Sequence, residues 1–365
     1  MSIVNLSVRD MAHLDTARLE RRDLGTRGCD RRAFDDMRLR TPLAVLEPDL
    51  EDPRLADVGE HPTAWADGDT LTIAVRRPGE APLLVGTVYE RLRPAGDACW
   101  ALRLRVPELD RACIEYGVLD PVWPSPREVQ VWRGRDAAGG VSRADVDVEG
   151  PLPLGDSEIA AAHPVRFWSP PAPKAVVVCA DGEGLAGWAG ILAAAGERVA
   201  LVGIHSAGVS IGPGEEHAYE ISADPRARAY LRHVDEAYFA AHMEYVLETV
   251  LPWAEQRVGR LPRVAFGVSN GAAFAAALGA LRPPQVAGVL AFSLGDTPRR
   301  PPPWRGPAHA LVAGRLEPDF DRTTRRYALR LRTRAVPVRL RRPLRGHDHS
   351  MWEDELLPAL RWVLA

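Results

Sequence analysis

Gly267-Val268-Ser269-Asn270-Gly271 fits the pattern Gly-x-Ser-x-Gly, with an apolar run before it and an Ala-rich run after it. A serine on a sharp turn between a buried strand and a helix is presented as a nucleophile. The turn strains its backbone, and the helix N-terminus aims N–H groups at a reacting carbonyl oxygen. Its hydroxyl is a weak nucleophile at neutral pH and needs a base within hydrogen-bond reach. That base is expected after the last strand, in Gly346-His347-Asp348-His349. His347 is the expected base, because Gly346 lets the loop turn tightly before it. His349 is read as a helix-start or surface residue. The acid that orients the imidazole is expected just after the run "HALVAG", where Glu317 comes first and Asp319 is the alternative. An oxyanion hole needs two preorganised N–H donors. One is expected from Asn270, the other from Glu183 in Asp181-Gly182-Glu183-Gly184, with Gly182 as its alternative. Such a set performs acyl transfer from a carboxylic ester to water.

These residues need a scaffold, and the chain has the pattern for one. From residue 174 onward, short continuous apolar runs such as "KAVVVCADG", "RVALVGIHS", "RVAFGVS", "VAGVLAFS" and "AHALVAG" alternate with helical stretches. Strands buried on both faces and separated by helices predict a doubly wound α/β domain with a mostly parallel sheet. One long helix is expected from Glu236 to Arg257. Trp352, Leu356 and Leu360 should share the inner face of the last helix. Residues 41–150 read differently. Their runs have partial period-2 alternation broken by Pro, Gly and Asp, which predicts a small antiparallel β-sandwich with Trp100 and Tyr116 in its core. Residues 151–173 read as a linker plus a first strand around Val165–Trp168. Residues 1–40 read as a charged leader, helical or disordered.

The bulk numbers exclude several classes. The chain has 365 residues, of which 46% are hydrophobic, and a formal net charge of −3. That balance favours neither nucleic acid nor an anionic membrane as partner. Four cysteines without a C-x-x-C or zinc-type spacing imply a reducing compartment. No run of 18 apolar residues and no secretory leader is present, so a cytoplasmic protein is expected. The chemistry requires no cofactor and no metal.

Several stretches together resemble a known family: "VVVCADGEG", "ALVGIHS", "HAYE", "FAAHMEYVLETVLPW", "GVSNGAAFA", "VAGRLEPDF" and "GHDHSMWEDELLPALRWVL". The chain resembles the Putative esterase family, within it the enterochelin (ferric enterobactin) esterase-like branch, over residues 165–365 and more loosely over 60–150. The resemblance implies a β-sandwich followed by an α/β-hydrolase domain. It also implies Ser269 as nucleophile and His347 as catalytic histidine, with Glu317 dispensable where Ser and His suffice. It implies a small-molecule ester substrate, a siderophore trilactone or linear ester, whose iron would arrive as cargo. His217 stands where the family has an Arg and is taken as a substrate contact together with Trp188; Trp123, His205 and Tyr219 are further candidates. Two other readings stay open: an acyltransferase or thioesterase-like enzyme of natural-product biosynthesis, and a non-catalytic binding protein with a decayed hydrolase domain.

Overall fold

The computed structural model of the chain describes residues 43–88, 90–119, 129–137, 139–206, 225–298 and 304–365. The expected leader at 1–40 lies outside them, as do Trp123, His217 and Tyr219.

The alternating runs form short strands: β1 (Ala44–Leu46), β2 (Thr63–Asp67), β3 (Thr70–Arg76), β4 (Leu83–Gly86), β5 (Glu90–Arg91), β6 (Arg93–Pro94), β7 (Cys99–Arg105), β8 (Cys113–Leu119) and β9 (Val129–Arg133). They make two antiparallel sheets, one ordered β1-β7-β3-β2 with β6 on β7, the other β5-β4-β8-β9. Alternation decides which side chains go inside. Leu71, Ile73 and Val75 of β3 pack with Leu84, Ile114, Tyr116 and Val118 of the other sheet. Ala74 belongs to a separate small cluster with Leu55 and Val58. Tyr116 is inside the sandwich core, whereas Trp100 sits at its edge and donates its indole N–H to the Arg77 carbonyl. Two leucines of this core come from far along the chain, Leu316 and Leu344. Burying each stabilises by about 1.5–3 kcal/mol, and each lies within three residues of an expected site residue.

The second sheet contains β10 (Glu149–Leu152), β11 (Val165–Trp168), β12 (Ala175–Ala180), β13 (Val199–Ile204), β14 (Arg263–Val268), β15 (Gly288–Phe292), β16 (Ala308–Val312) and β17 (Val338–Arg341). Its order is β10-β11-β13-β12-β14-β15-β16-β17. β11 pairs antiparallel with β10 and β13, and the remaining pairs are parallel. β12 and β13 are buried along their whole length because helices cover both faces of the sheet.

The helices are α1 (Glu158–Ala162), α2 (Leu185–Ala194), α3 (Pro225–Tyr230), α4 (Glu236–Tyr245), α5 (Leu251–Val258), α6 (Asn270–Leu281), α7 (Pro318–Arg332) and α8 (His349–Leu364). α2 and α8 pack on one face of the sheet; α4, α5, α6 and α7 contribute to the core on the other. Trp352, Leu356 and Leu360 are all buried on that first face. The single helix expected over 236–257 is interrupted by a π-turn at Val246–Val250. Pro252 lies two residues past its end. Proline lacks the N–H that would bond four residues back, and a widened turn absorbs that loss. β14 to β17 are parallel neighbours, so the loops after their C-terminal ends collect on one edge of the sheet. Open α/β sheets hold their ligands there.

Candidate active site

Ser269 ends the turn between β14 and α6 with φ 53° and ψ −114°. A non-glycine residue held in such a region costs about 1–3 kcal/mol and persists only where its surroundings fix it. Its N–H donates to the Phe292 carbonyl at 2.8 Å, and its carbonyl accepts the Ala273 N–H at 3.2 Å. The flanking glycines are steric necessities. A Cβ on Gly267 would stand 2.1 Å from the Gly271 carbonyl oxygen, and one on Gly271 would stand 2.8 Å from the Ala180 side chain. α6 is buried almost throughout, which its Ala- and Gly-rich sequence permits by letting the sheet and neighbouring helices approach closely. Asn270 is its first residue, so the Asn270 backbone N–H points out of the helix end beside Ser269. The Ser269 side chain is buried, and among the described residues its hydroxyl has no hydrogen-bond partner.

His347 lies in the loop between β17 and α8 and is buried. Its Nδ1 is 2.6 Å from Oε2 of Glu317, which follows β16 and is also buried. Oε1 of Glu317 accepts the Gly314 N–H at 2.6 Å and the Ser293 hydroxyl at 2.8 Å. Ser293 follows β15 and accepts the Trp352 indole N–H at 2.8 Å. Phe320 stacks on the imidazole with ring centroids 4.1 Å apart, and Trp352 meets it edge-on at 5.1 Å. Burial raises the Glu317 carboxyl well above the usual carboxylate range, and the donors from Gly314 and Ser293 offset part of that rise. The 2.6 Å contact holds one proton between Oε2 and Nδ1; with the carboxylate ionised it only accepts, so Nδ1 carries the proton and Nε2 keeps its lone pair. Burial pushes His347 down to about 3, with His349 and Arg226 adding to the effect. The imidazole is therefore uncharged at neutral pH.

The turn after β12 lies beside the serine, because β12 pairs with β14. Asp181 takes φ 56° there. Its carboxylate receives Arg226 in two parallel bonds at 2.6 and 2.9 Å. The Asp181 N–H donates to the Tyr230 hydroxyl at 2.9 Å, and the Gly184 N–H closes the turn on the Asp181 carbonyl at 3.1 Å. The other N–H groups of this turn are those of Gly182 and Glu183. The Glu183 carboxylate is held at the end of β13, where it accepts the Ser206 N–H at 2.8 Å and the Ser206 hydroxyl at 2.9 Å.

Ser269 and Asn270 thus come to the C-terminal end of β14, Glu317 to that of β16 and His347 to the loop after β17, with Glu183 on the loop after β12. Glu317, and not Asp319, meets the imidazole: the Asp319 side chain is 56% exposed and pairs with Arg322 at 2.9 Å. His349 opens α8 and packs against Trp352 at 5.0 Å. His205 accepts the Arg166 Nε–H at 3.1 Å and lies 3.9 Å from Glu183, beside the turn after β12. Trp188, expected as a substrate contact, is buried in the core on the α2 and α8 face of the sheet. It is 7% exposed and packs edge-on against Phe266 at 5.2 Å, because α2 buries an almost wholly apolar sequence. His217 falls outside the described residues. Sequence reasoning missed Arg226, Ser293, Thr87 and Glu115. Arg226 is one of several arginines in "DPRARAYLRHVDE", and nothing in that run marks it as the buried one.

Among the described residues there is no cluster of three or more His, Cys, Asp or Glu that could hold a metal ion. No helix there is long and apolar enough to cross a membrane.

The Putative esterase family matches residues 158–359, more than half of the chain. Among solved structures, the enterobactin esterase of Shigella flexneri, crystallised in the presence of 2,3-di-hydroxy-N-benzoyl-glycine, has a TM-score of 0.60. It is 15% identical and covers 83% of this chain and 96% of its own. A structure of the same esterase in the presence of enterobactin gives the same TM-score, 0.60, at 15% identity, and covers 83% of this chain and 96% of its own. The ferric enterobactin esterase of Salmonella typhimurium has a TM-score of 0.60 at 14% identity, covering 83% of this chain and 96% of its own. At these identities the likeness is one of fold. No curated protein matches the chain. An α/β-hydrolase sheet preceded by a β-sandwich, together with the family match, makes this chain a member of the Putative esterase family, enzymes that hydrolyse esters.

Proposed function

We propose that the protein hydrolyses a carboxylic ester through a serine-bound acyl intermediate, with Ser269 as nucleophile, His347 as base and then acid, and Glu317 as the orienting carboxylate. The observation that carries this reading is the buried 2.6 Å contact between His347 Nδ1 and Glu317, set two strands away from a strained serine. Ser269 Oγ attacks the ester carbonyl while its proton passes to His347 Nε2. The tetrahedral oxyanion is met by the N–H groups of Asn270 and Glu183. The imidazolium, steadied by Glu317, returns the proton to the departing alkoxide. Water then repeats the sequence on the acyl-serine and releases the acid. The buried cation of Arg226 helps to keep His347 unprotonated before the attack.

The substrate in this reading is a siderophore ester of the trilactone type, with iron as cargo. The support is the fold shared with esterases crystallised with enterobactin and with a dihydroxybenzoyl compound. His217 is kept as a substrate contact on the sequence resemblance. A cytoplasmic setting is part of the reading, on the sequence's four cysteines without a disulfide-type or zinc-type spacing. A fluorophosphonate probe tests the nucleophile: the full chain labels at Ser269, and Ser269→Ala does not label. Folded protein that fails to label, or labels elsewhere, overturns the reading.

A further inference from the structure

The loop that carries His347 is fastened at nearly every step to the β-sandwich. The Leu344 side chain is part of the sandwich core, and its carbonyl accepts the Cys113 N–H of β8 at 3.1 Å. At Gly346 there is no room for a side chain, since a Cβ would lie 2.7 Å from Thr87 Cγ2 and 2.9 Å from Thr87 Cα. The Thr87 hydroxyl donates to Asp348 Oδ2 at 2.8 Å and accepts the Glu115 N–H at 2.9 Å. Glu115 Oε2 accepts the Ser350 N–H at 3.0 Å. Farther along α8, Arg133 of β9 pairs with Asp354 at 2.8 Å.

Asp348 is the hub of this arrangement. One oxygen accepts the Gly346 N–H at 3.1 Å, and the other accepts the Met351 N–H at 2.8 Å and the Ser350 hydroxyl at 2.9 Å. A single carboxylate thus braces His347 from the residue before it and from the first turn of the helix after it. The sandwich supplies the hydroxyl that holds that carboxylate.

An interface that only joined two parts of a chain would be served better by apolar contacts, because a buried acidic group, charged or not, costs free energy unless its oxygens are hydrogen-bonded. Here Glu115 and Asp348 are both buried in one cluster, and Glu115 Oε1 has no hydrogen-bond partner among the described residues. Burial and the neighbouring Asp348 push the Glu115 carboxyl up to about 8. Directional polar contacts at this cost are concentrated on the seven residues from Leu344 to Ser350. They do what apolar packing cannot, which is to fix a loop to within a fraction of an ångström.

We propose that the β-sandwich is a working part of the reaction centre, and that Thr87 and Glu115 are positioning residues that set the place of the His347 imidazole. This rests on the serine-esterase reading above. A displacement of about 1 Å in a reacting group costs up to about 10²-fold in rate, so kcat should register the loss of these contacts more than KM.

The test uses the full chain with a short-chain p-nitrophenyl ester, the fluorophosphonate labelling rate at Ser269, and amide hydrogen exchange of residues 344–351. In Thr87→Val the hydroxyl is gone but the shape is kept. The expected result is a kcat lower by about 10- to 100-fold, KM within about twofold, and faster exchange confined to 344–351. Thr87→Ser, which keeps the hydroxyl, restores most of the rate. If Thr87→Val does not fold, Thr87→Ala removes the hydroxyl without a methyl group against the carboxylate and carries the same expectation. An active wild type with a Thr87→Val kcat and loop exchange unchanged overturns the inference alone. So does a rate loss that Thr87→Ser fails to restore. A wild type that neither labels nor turns over ester overturns the proposed function and the catalytic consequence drawn here, while loop exchange still decides whether the sandwich holds the loop.

Discussion

Replacing Glu317 by Gln probes the orienting contact with little change of volume. The amide oxygen can still accept from Gly314 and Ser293, which approach Oε1 at 2.6 and 2.8 Å in the wild type. The amide NH2 then occupies the place of Oε2, 2.6 Å from His347 Nδ1. Two N–H donors cannot face each other there, so Nδ1 must become the acceptor and the ring proton moves to Nε2. The nitrogen that should receive the Ser269 proton then carries one already. Loss of the correct tautomer in a buried Ser-His-acid site costs about 10⁴ in kcat, equivalent to about 5 kcal/mol of transition-state stabilisation. The assay is steady-state hydrolysis of a p-nitrophenyl ester, with thermal melting to show that the variant is folded. KM should change little, since the carboxylate contacts no substrate in this reading. Asp319→Asn serves as control and should stay within about twofold, because that exposed side chain pairs with Arg322 on the surface. A folded Glu317→Gln variant within about tenfold of wild type would refute the reasoning and leave a Ser269–His347 dyad in its place.

Two further outcomes are expected. The folded-state pKa of His347 is depressed from 6.5 to about 3, so the active neutral ring persists into acid; kcat/KM for the same ester should stay flat from pH 7 down through 6.5, toward about 4. The same shift means that this group's contribution to stability is full above 6.5 and declines as pH falls toward 3. A limb centred near 6.5 in the pH–rate profile of folded protein would contradict the burial argument. Arg226→Met removes a buried cation from Asp181 and leaves that carboxylate unpaired beside the turn that carries Glu183; a stability loss of about 3 kcal/mol, read by denaturant unfolding, is expected together with a lower kcat. An unchanged unfolding midpoint would mean that the pair carries no net energy.

What the sequence made legible was local. The serine elbow is written within five residues, and continuous apolar runs identify β12, β14 and β15 because strands covered on both faces carry little else. The Gly-His loop before the last helix is equally local. Burial, by contrast, is a property of the folded whole. Glu317 and Asp319 are two residues apart and chemically alike, and only the packing around His347 separates them. Arg226, Arg228 and Arg232 also look alike in sequence. In the fold, Arg228 and Arg232 pair near the surface with Asp235 and Glu236, while Arg226 is enclosed on Asp181. The packing of Trp188 was equally hidden, because an indole in an apolar helix gives no sign of which way it points. The contacts of Thr87 with Asp348 and of Glu115 with Ser350 span 261 and 235 residues of sequence. No periodicity reports across such a distance.

Leu316 and Leu344 enter the sandwich core from the far end of the polypeptide. A nascent chain therefore emerges from the ribosome with its first module short of two apolar plugs. Its core is complete only once residue 344 has been added. Completion of the N-terminal module and folding of the strand-end loops are thereby tied together, and cutting out the sandwich alone would leave its core short of two leucines and strip the cover from those leucines on the other half.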